Sequence, residues 1–182
     1  ASRMRNLRSH GTTTNKELMR HRPNEEIWNY QQIALGFNYR MTDIQAALGL
    51  SQMQRLDEFV RNRRSVAKRY DTGLRSLPLT KPYQAPGAHS SYHLYPIRVS
   101  ESKYGSAQRQ LYDALWQHGV AANLHYIPVH RQPYFEDKGF KAGDFREAEC
   151  FHRETISIPI FSKLSEHEQE SVIRILQDYF GT

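Results

Sequence analysis

The chain has 182 residues, 38% of them hydrophobic and 24% charged, enough for one core of ordinary size with an appendage but not for two full domains. No apolar run reaches the roughly 18 residues of a membrane-spanning helix, and the single cysteine, Cys150, excludes an internal disulfide framework and any cysteine-based zinc site. The net charge of +6 fits a solvated basic surface first, and phosphate-bearing ligands or nucleic acid after that.

Ala1-Ser2-Arg3-Met4-Arg5-Asn6 has no apolar stretch, so no secretory signal is expected, and a reducing cytoplasm is the expected compartment. Residues 1–35 read as irregular, with His10-Gly11-Thr12-Thr13-Thr14-Asn15 as a turn-rich loop and Pro23-Asn24 as a second break. So long a polar segment has too few apolar anchors to fold by itself, and 1–35 reads as a piece of something larger. Thr42-Asp43-Ile44-Gln45 forms a capping box, in which hydroxyl and amide side chains satisfy opposing free N–H groups. Apolar residues then recur in steps of three and four through Met53, Leu56, Val60, Ala67, Tyr70, Leu74 and Leu77. That pattern predicts one long helix over 42–78, closed by Leu77-Pro78 and Lys81-Pro82.

Residues 79–182 change texture and predict a small α/β domain. Tyr92 to Val99 reads as a strand, with Pro96 marking an edge or bulge. Ala107, Leu111, Ala114, Leu115 and His118 place one helix face on the core, and Gly119 stops that helix. Val120 to Tyr126 reads as a second strand, 127–143 as an aromatic loop, 144–153 as a short helix and Thr155 to Pro159 as a third strand. Ser165-Glu166-His167-Glu168 is a second capping box, opening a helix that carries Val172, Ile173, Ile175, Leu176, Tyr179 and Phe180. The order fits a small antiparallel or mixed sheet covered by helices.

Gly36-Phe37-Asn38-Tyr39-Arg40-Met41-Thr42-Asp43 concentrates anion-binding chemistry. Asn38 offers an amide donor and Arg40 a planar fork matched to carboxylate or phosphate, both just before a helix N-terminus. Spacing alone also allows a plain capped helix with its arginine paired to a nearby acid. His125 and His130, five apart with carboxylates downstream, are generic as metal spacing, and no metal is expected. There is no Gly-x-Ser-x-Gly elbow and no Gly-rich phosphate loop. Arg55, Arg61, Arg63, Arg64, Lys68 and Arg69 gather on the predicted long helix. They leave open an alternative in which the chain is a basic nucleic-acid or other binding module without catalysis.

Several segments together resemble the C-terminal part of the DegT/DnrJ/EryC1/StrS family of pyridoxal-phosphate (PLP) aminotransferases. They are Leu7-Arg8-Ser9-His10-Gly11, Gly36 to Ala47, His93-Leu94-Tyr95-Pro96-Ile97 and Ser157-Ile158-Pro159. Within that family, His125 to Tyr134 and Lys141-Ala142-Gly143-Asp144-Phe145 resemble the pseudaminic-acid branch. The resemblance implies the small domain of a fold-type I PLP transferase, with 1–41 the end of the large PLP domain, 42–78 a linking helix and 79–182 the small domain. It implies a cytoplasmic homodimer with shared active sites, using a UDP-sugar and glutamate/2-oxoglutarate. The amino group would pass to C4 of a UDP-linked 4-keto-6-deoxy-N-acetylhexosamine. Asn38 would reach the PLP phosphate held by the neighbouring subunit, and Arg40 would lie near the amino donor's carboxylate. His125 would contact donor or sugar, and Tyr39 and Phe37 would line the sugar pocket. The Schiff-base lysine of the family lies before Leu-Arg-Ser-His-Gly. None of Lys16, Lys68, Lys81, Lys103, Lys138, Lys141 or Lys163 has its context, so the chain alone is expected to be inactive.

Overall fold

The computed structural model describes residues 1–19, 30–100 and 107–181; the break expected at Pro23-Asn24, and Lys103, lie outside them. The chain divides into two units, Ala1–Gln54 and Arg55–Thr182.

The first unit is less irregular than its composition suggests. It opens on a short helix α1 (Ser2–Leu7), and a two-residue strand β1 (Thr12–Thr13) pairs antiparallel with β2 (Gln31–Gln32). Its last element, α2 (Asp43–Met53), begins at the expected capping box. Thr42 Oγ1 accepts from the Gln45 N–H at 3.3 Å, and Gln45 Oε1 accepts from the Thr42 N–H at 3.0 Å. No residue of α2 is buried within the chain. Ile44, Leu48, Leu50 and Met53 are all exposed, and among the described residues of this unit only Gly11 and Thr13 are buried.

The long helix expected over 42–78 is instead two helices. Gln54 and Arg55 form a turn, and α3 (Leu56–Gly73) restarts beyond it. Arg55 leaves helical geometry at φ −107°, ψ 6°, and its side chain folds forward to pair with Glu58 at 3.2 Å. The apolar spacing passes unbroken through this turn, which is why periodicity alone does not find it. The predicted stripe also divides: Met53 and Leu56 are exposed, whereas Ala67, Tyr70, Leu74 and Leu77 are buried.

The second unit owns the core. Strands β3 (Tyr95–Arg98) and β4 (Thr155–Ile158) pair antiparallel, with Tyr95 opposite Ile158 and Ile97 opposite Ile156. Opposed residues share a sheet face, so these four side chains form one apolar surface, and all are buried. Against the same core pack Tyr70 and Leu74 of α3, Leu111 and Leu115 of α4 (Ala107–Gln117), and Val172 and Leu176 of α7 (Glu166–Phe180). Two further helices, α5 (Pro133–Glu136) and α6 (Arg146–Glu154), lie between the sheet residues and the loop after Tyr126 in sequence.

Three sequence expectations shift here. The strand predicted from Tyr92 starts only at Tyr95, because Tyr92 takes a positive φ of 47° that a strand cannot accommodate. Pro96 costs no ladder bond: Arg98, two residues on, sends its N–H outward to Thr80 at 2.9 Å, and the Pro96 nitrogen faces that sparsely paired edge. The strand predicted over 120–126 is reduced to one bridge, Asn123 with Ser157. Val120 N–H bonds Leu115 O and Ala122 N–H bonds Val120 O, so the backbone there is satisfied locally.

Helix α7 starts at its predicted capping box on Ser165 and is tied to α3 by Gln169. That buried amide donates to Val66 O at 2.7 Å and accepts from Arg69 Nε at 2.6 Å.

Candidate functional site

Two motifs 25 residues apart in the sequence are laced together through their backbones. Phe37 N–H donates to Leu7 O at 2.6 Å, Tyr39 N–H to Arg8 O at 2.9 Å and His10 N–H to Phe37 O at 2.9 Å. These bonds flank an antiparallel bridge between Ser9 and Asn38. Glycine makes the approach possible. A Cβ on Gly36 would lie 2.3 Å from Gly11 N and 2.6 Å from Leu7 O, and one on Gly11 would lie 1.8 Å from Ala34 O. Gly11 also takes φ +72°, a conformation cheap only for glycine.

This scaffold sorts the candidate residues. Phe37 and Tyr39, two apart on an extended segment, stack with ring centroids 5.0 Å apart and planes at 16°. Alternation along the segment turns Asn38 to the opposite face, where it stands across from Ser9. Tyr39, Arg40 and Met41, with Gln45, Leu48, Gly49 and Gln52 of α2, line an open cleft of about 720 Å³. Asn38 and Arg40 are both exposed, and Arg40 forms no ion pair among the described residues. The plain alternative of an arginine paired to a nearby acid is therefore absent among those residues.

His125 belongs to the second unit. It is half-buried, its ring meets Tyr126 edge-on at 4.7 Å, and its buried Nδ1 makes no hydrogen bond among the described residues. His130 has a different task. It is 7% exposed, and its Nε2 lies 2.8 Å from Glu149 Oε1, an oxygen that also accepts the Gly143 N–H at 2.8 Å. The His130 ring packs on Phe145 at 4.9 Å. The sequence spacing of His130 is generic and predicts no metal site; in the structure the residue is a clamp between the aromatic loop and α6. The downstream Glu149, three residues into that helix, was the missing partner.

The clamp holds the Glu149 carboxyl below its ordinary value, through the His130 hydrogen bond first and the Gly143 N–H second. A depressed carboxylate contributes stability that is present above its unfolded value, near 4.5, and lost as pH falls through the folded one. Thermal melts from pH 6 to pH 3 should therefore show a falling midpoint, and Glu149→Gln should flatten part of that fall. An unchanged pH profile in the variant would remove Glu149 from the clamp.

Much of the basic cluster is spent inside the chain. Arg63 Nη1 donates to the carbonyls of Tyr92, His93 and Ile160 at 3.0–3.2 Å, and Arg64 holds Ser90 O and His89 O. Arg69 bonds Glu166 at 2.6 Å. These arginines strap loops and helices to α3 rather than forming a free cationic stripe, which removes much of the basis for the nucleic-acid alternative. No helix among the described residues is long and apolar enough to cross a membrane.

Comparison with known proteins agrees with this picture. The chain is 33% identical over 154 residues to the spore coat polysaccharide biosynthesis protein SpsC of Bacillus subtilis (strain 168), covering 83% of this chain and 40% of SpsC. Its fold matches the putative sugar aminotransferase Spr1654 of Streptococcus pneumoniae in the apo-form, with a TM-score of 0.84 and 26% identity, over 98% of this chain and 42% of that one. It matches PseC of Helicobacter pylori, an aminotransferase of pseudoaminic acid biosynthesis, with a TM-score of 0.83 and 25% identity, over 98% of this chain and 45% of PseC. The chain thus spans less than half the length of these relatives. The profile of the DegT/DnrJ/EryC1/StrS aminotransferase family matches residues 1–177, and the chain belongs to that family.

Proposed function

We propose that this chain is the C-terminal part of a PLP-dependent sugar aminotransferase that works as a cytoplasmic homodimer. The amino group would pass from glutamate to C4 of a UDP-linked 4-keto-6-deoxy-N-acetylhexosamine, in pseudaminic acid biosynthesis. The observation that carries the reading is the laced pair of motifs, which presents Asn38 and Arg40 to solvent from a rigid backbone in a chain of this family. The likeness to PseC and the motifs from His125 to Phe145 support the choice of sugar.

The donor set fits the cofactor's anionic end: an exposed amide on a fixed extended segment is a ready hydrogen-bond donor to a phosphate oxygen. When bound, PLP supplies the electron sink for transamination. Asn38 then holds the phosphate of the cofactor in the partner subunit, from across the dimer. Arg40 offers its fork to the donor carboxylate, bidentate and charge-assisted. His125 contacts the donor or the sugar, and the stacked Phe37–Tyr39 pair walls the sugar pocket. The lysine that anchors the cofactor lies outside these 182 residues.

In the full-length protein, Asn38→Ala should weaken PLP retention roughly tenfold and Arg40→Ala should raise the KM for glutamate by about ten- to a hundredfold. Those figures follow from losing hydrogen bonds to charged groups. Equilibrium dialysis and steady-state kinetics check them, and wild-type values for both variants would sink the cross-subunit assignment. The chain by itself, mixed with PLP and treated with borohydride, should carry no reduced lysine adduct. A labelled lysine would show that it is competent alone.

A further inference from the structure

We infer that Ser9 and Asn38 form one two-donor seat for a phosphoryl group, so that Ser9 is a binding residue alongside the asparagine. The inference rests on the proposed function for the identity of the ligand, but its geometry stands on the bridge between the two residues.

Ser9 and Asn38 face each other across an antiparallel bridge. The flanking bonds run from His10 N–H to Phe37 O and from Tyr39 N–H to Arg8 O, which makes Ser9–Asn38 a non-hydrogen-bonded pair. In such pairs the Cα atoms approach to about 4.5 Å and the side chains lie closest together on one face. A hydroxyl and a carboxamide so placed can each donate to a different oxygen of the same tetrahedral anion. The opposite face of the segment carries the Phe37–Tyr39 stack, so the polar pair and the aromatic pair do not compete for one ligand group.

The backbone beneath the seat is held before anything binds. Ser9 N–H donates to Asn6 O at 3.1 Å, and Ser9 O accepts both the Thr12 N–H at 3.0 Å and the Thr12 hydroxyl at 2.8 Å. Asn38 is fixed on both sides by the bonds of Phe37 and Tyr39. With the backbone fixed, only the two side-chain rotamers remain to be ordered on binding. Sequence spacing could not join them, because they are separated by 28 intervening residues and paired only by the fold.

Two phosphoryl sources exist under the proposed function, the cofactor's monoester and the nucleotide's diphosphate, and paired ligands separate them. The experiment uses the full-length protein and measures the affinities of PLP against pyridoxal, and of UDP against uridine. Ser9→Ala should weaken PLP roughly tenfold while leaving pyridoxal unchanged, and Ser9→Thr should restore it. The same selective loss on UDP rather than PLP would keep the seat and assign it to the nucleotide. Equal loss on phosphorylated and phosphate-free ligands, or no loss on either, would overturn it. Asn38→Ala run in parallel separates the two layers. If Asn38→Ala weakens PLP and Ser9→Ala does not, only the Ser9 inference fails. If neither variant matters, the cross-subunit reading of Asn38 fails as well.

Discussion

Tyr70→Ala is expected to cost this chain about 3–5 kcal/mol of stability, the range for deleting a buried aromatic side chain. The ring is fully buried, sits 5.0 Å from the Tyr95 ring, and joins α3 to the sheet. Its hydroxyl donates to Pro159 O at 2.9 Å, just beyond β4. Burial pushes the Tyr70 phenol well above its usual value, as expected for a group kept neutral. Tyr70→Phe keeps the packing and loses only the hydrogen bond, so it should cost about 1–2 kcal/mol. Urea unfolding followed by circular dichroism separates the two. A Tyr70→Ala loss under about 1 kcal/mol would mean that α3 does not seat on the sheet as described.

Gly36→Ala and Gly11→Ala should abolish the lacing of the first unit rather than strain it. The atoms that an added methyl would meet are backbone atoms of Gly11, Leu7 and Ala34, which cannot rotate aside as a side chain would. At Gly11 the left-handed backbone adds a further penalty of about 1 kcal/mol. Together these exceed about 3 kcal/mol, more than a segment without an apolar core can absorb. Amide hydrogen exchange reads the result directly: the N–H groups of His10, Phe37 and Tyr39 should lose protection in both variants. Gly49→Ala is the contrast, because open space surrounds that position in α2. It should stabilise the helix by up to about 1 kcal/mol and leave the three amides protected. Protection retained in Gly36→Ala would contradict the close approach.

The parts of this molecule visible in its sequence are those whose chemistry is local. Thr42 and Ser165 announce their helices because a capping box is complete within four residues. Ala107, Leu111 and Leu115 place α4 correctly because one buried stripe suffices. Pairing is less visible. Val120 and Ala122 are buried alternately with exposed neighbours, as a strand would show, yet only Asn123 reaches β4. The turn at Gln54 and Arg55 is hidden because it preserves the apolar spacing on both sides. In the candidate site the individual residues could be named from their motifs. Their division into an aromatic and a polar face, and the partnership of Ser9 with Asn38, depend on a bridge between distant segments.

Helix α2 has one more consequence, for how this polypeptide behaves in solution. It shows Ile44 and Leu48 to water one turn apart, with Leu50 and Met53 beyond them, while every buried apolar residue described lies after Arg55. Folding stability is thus assigned to the stretch after Arg55, while α2 adds an apolar face that contributes nothing to that core. Light scattering on the 182-residue chain should report particle growth with concentration. A polypeptide starting at Arg55 should show less of that growth while keeping its cooperative melt.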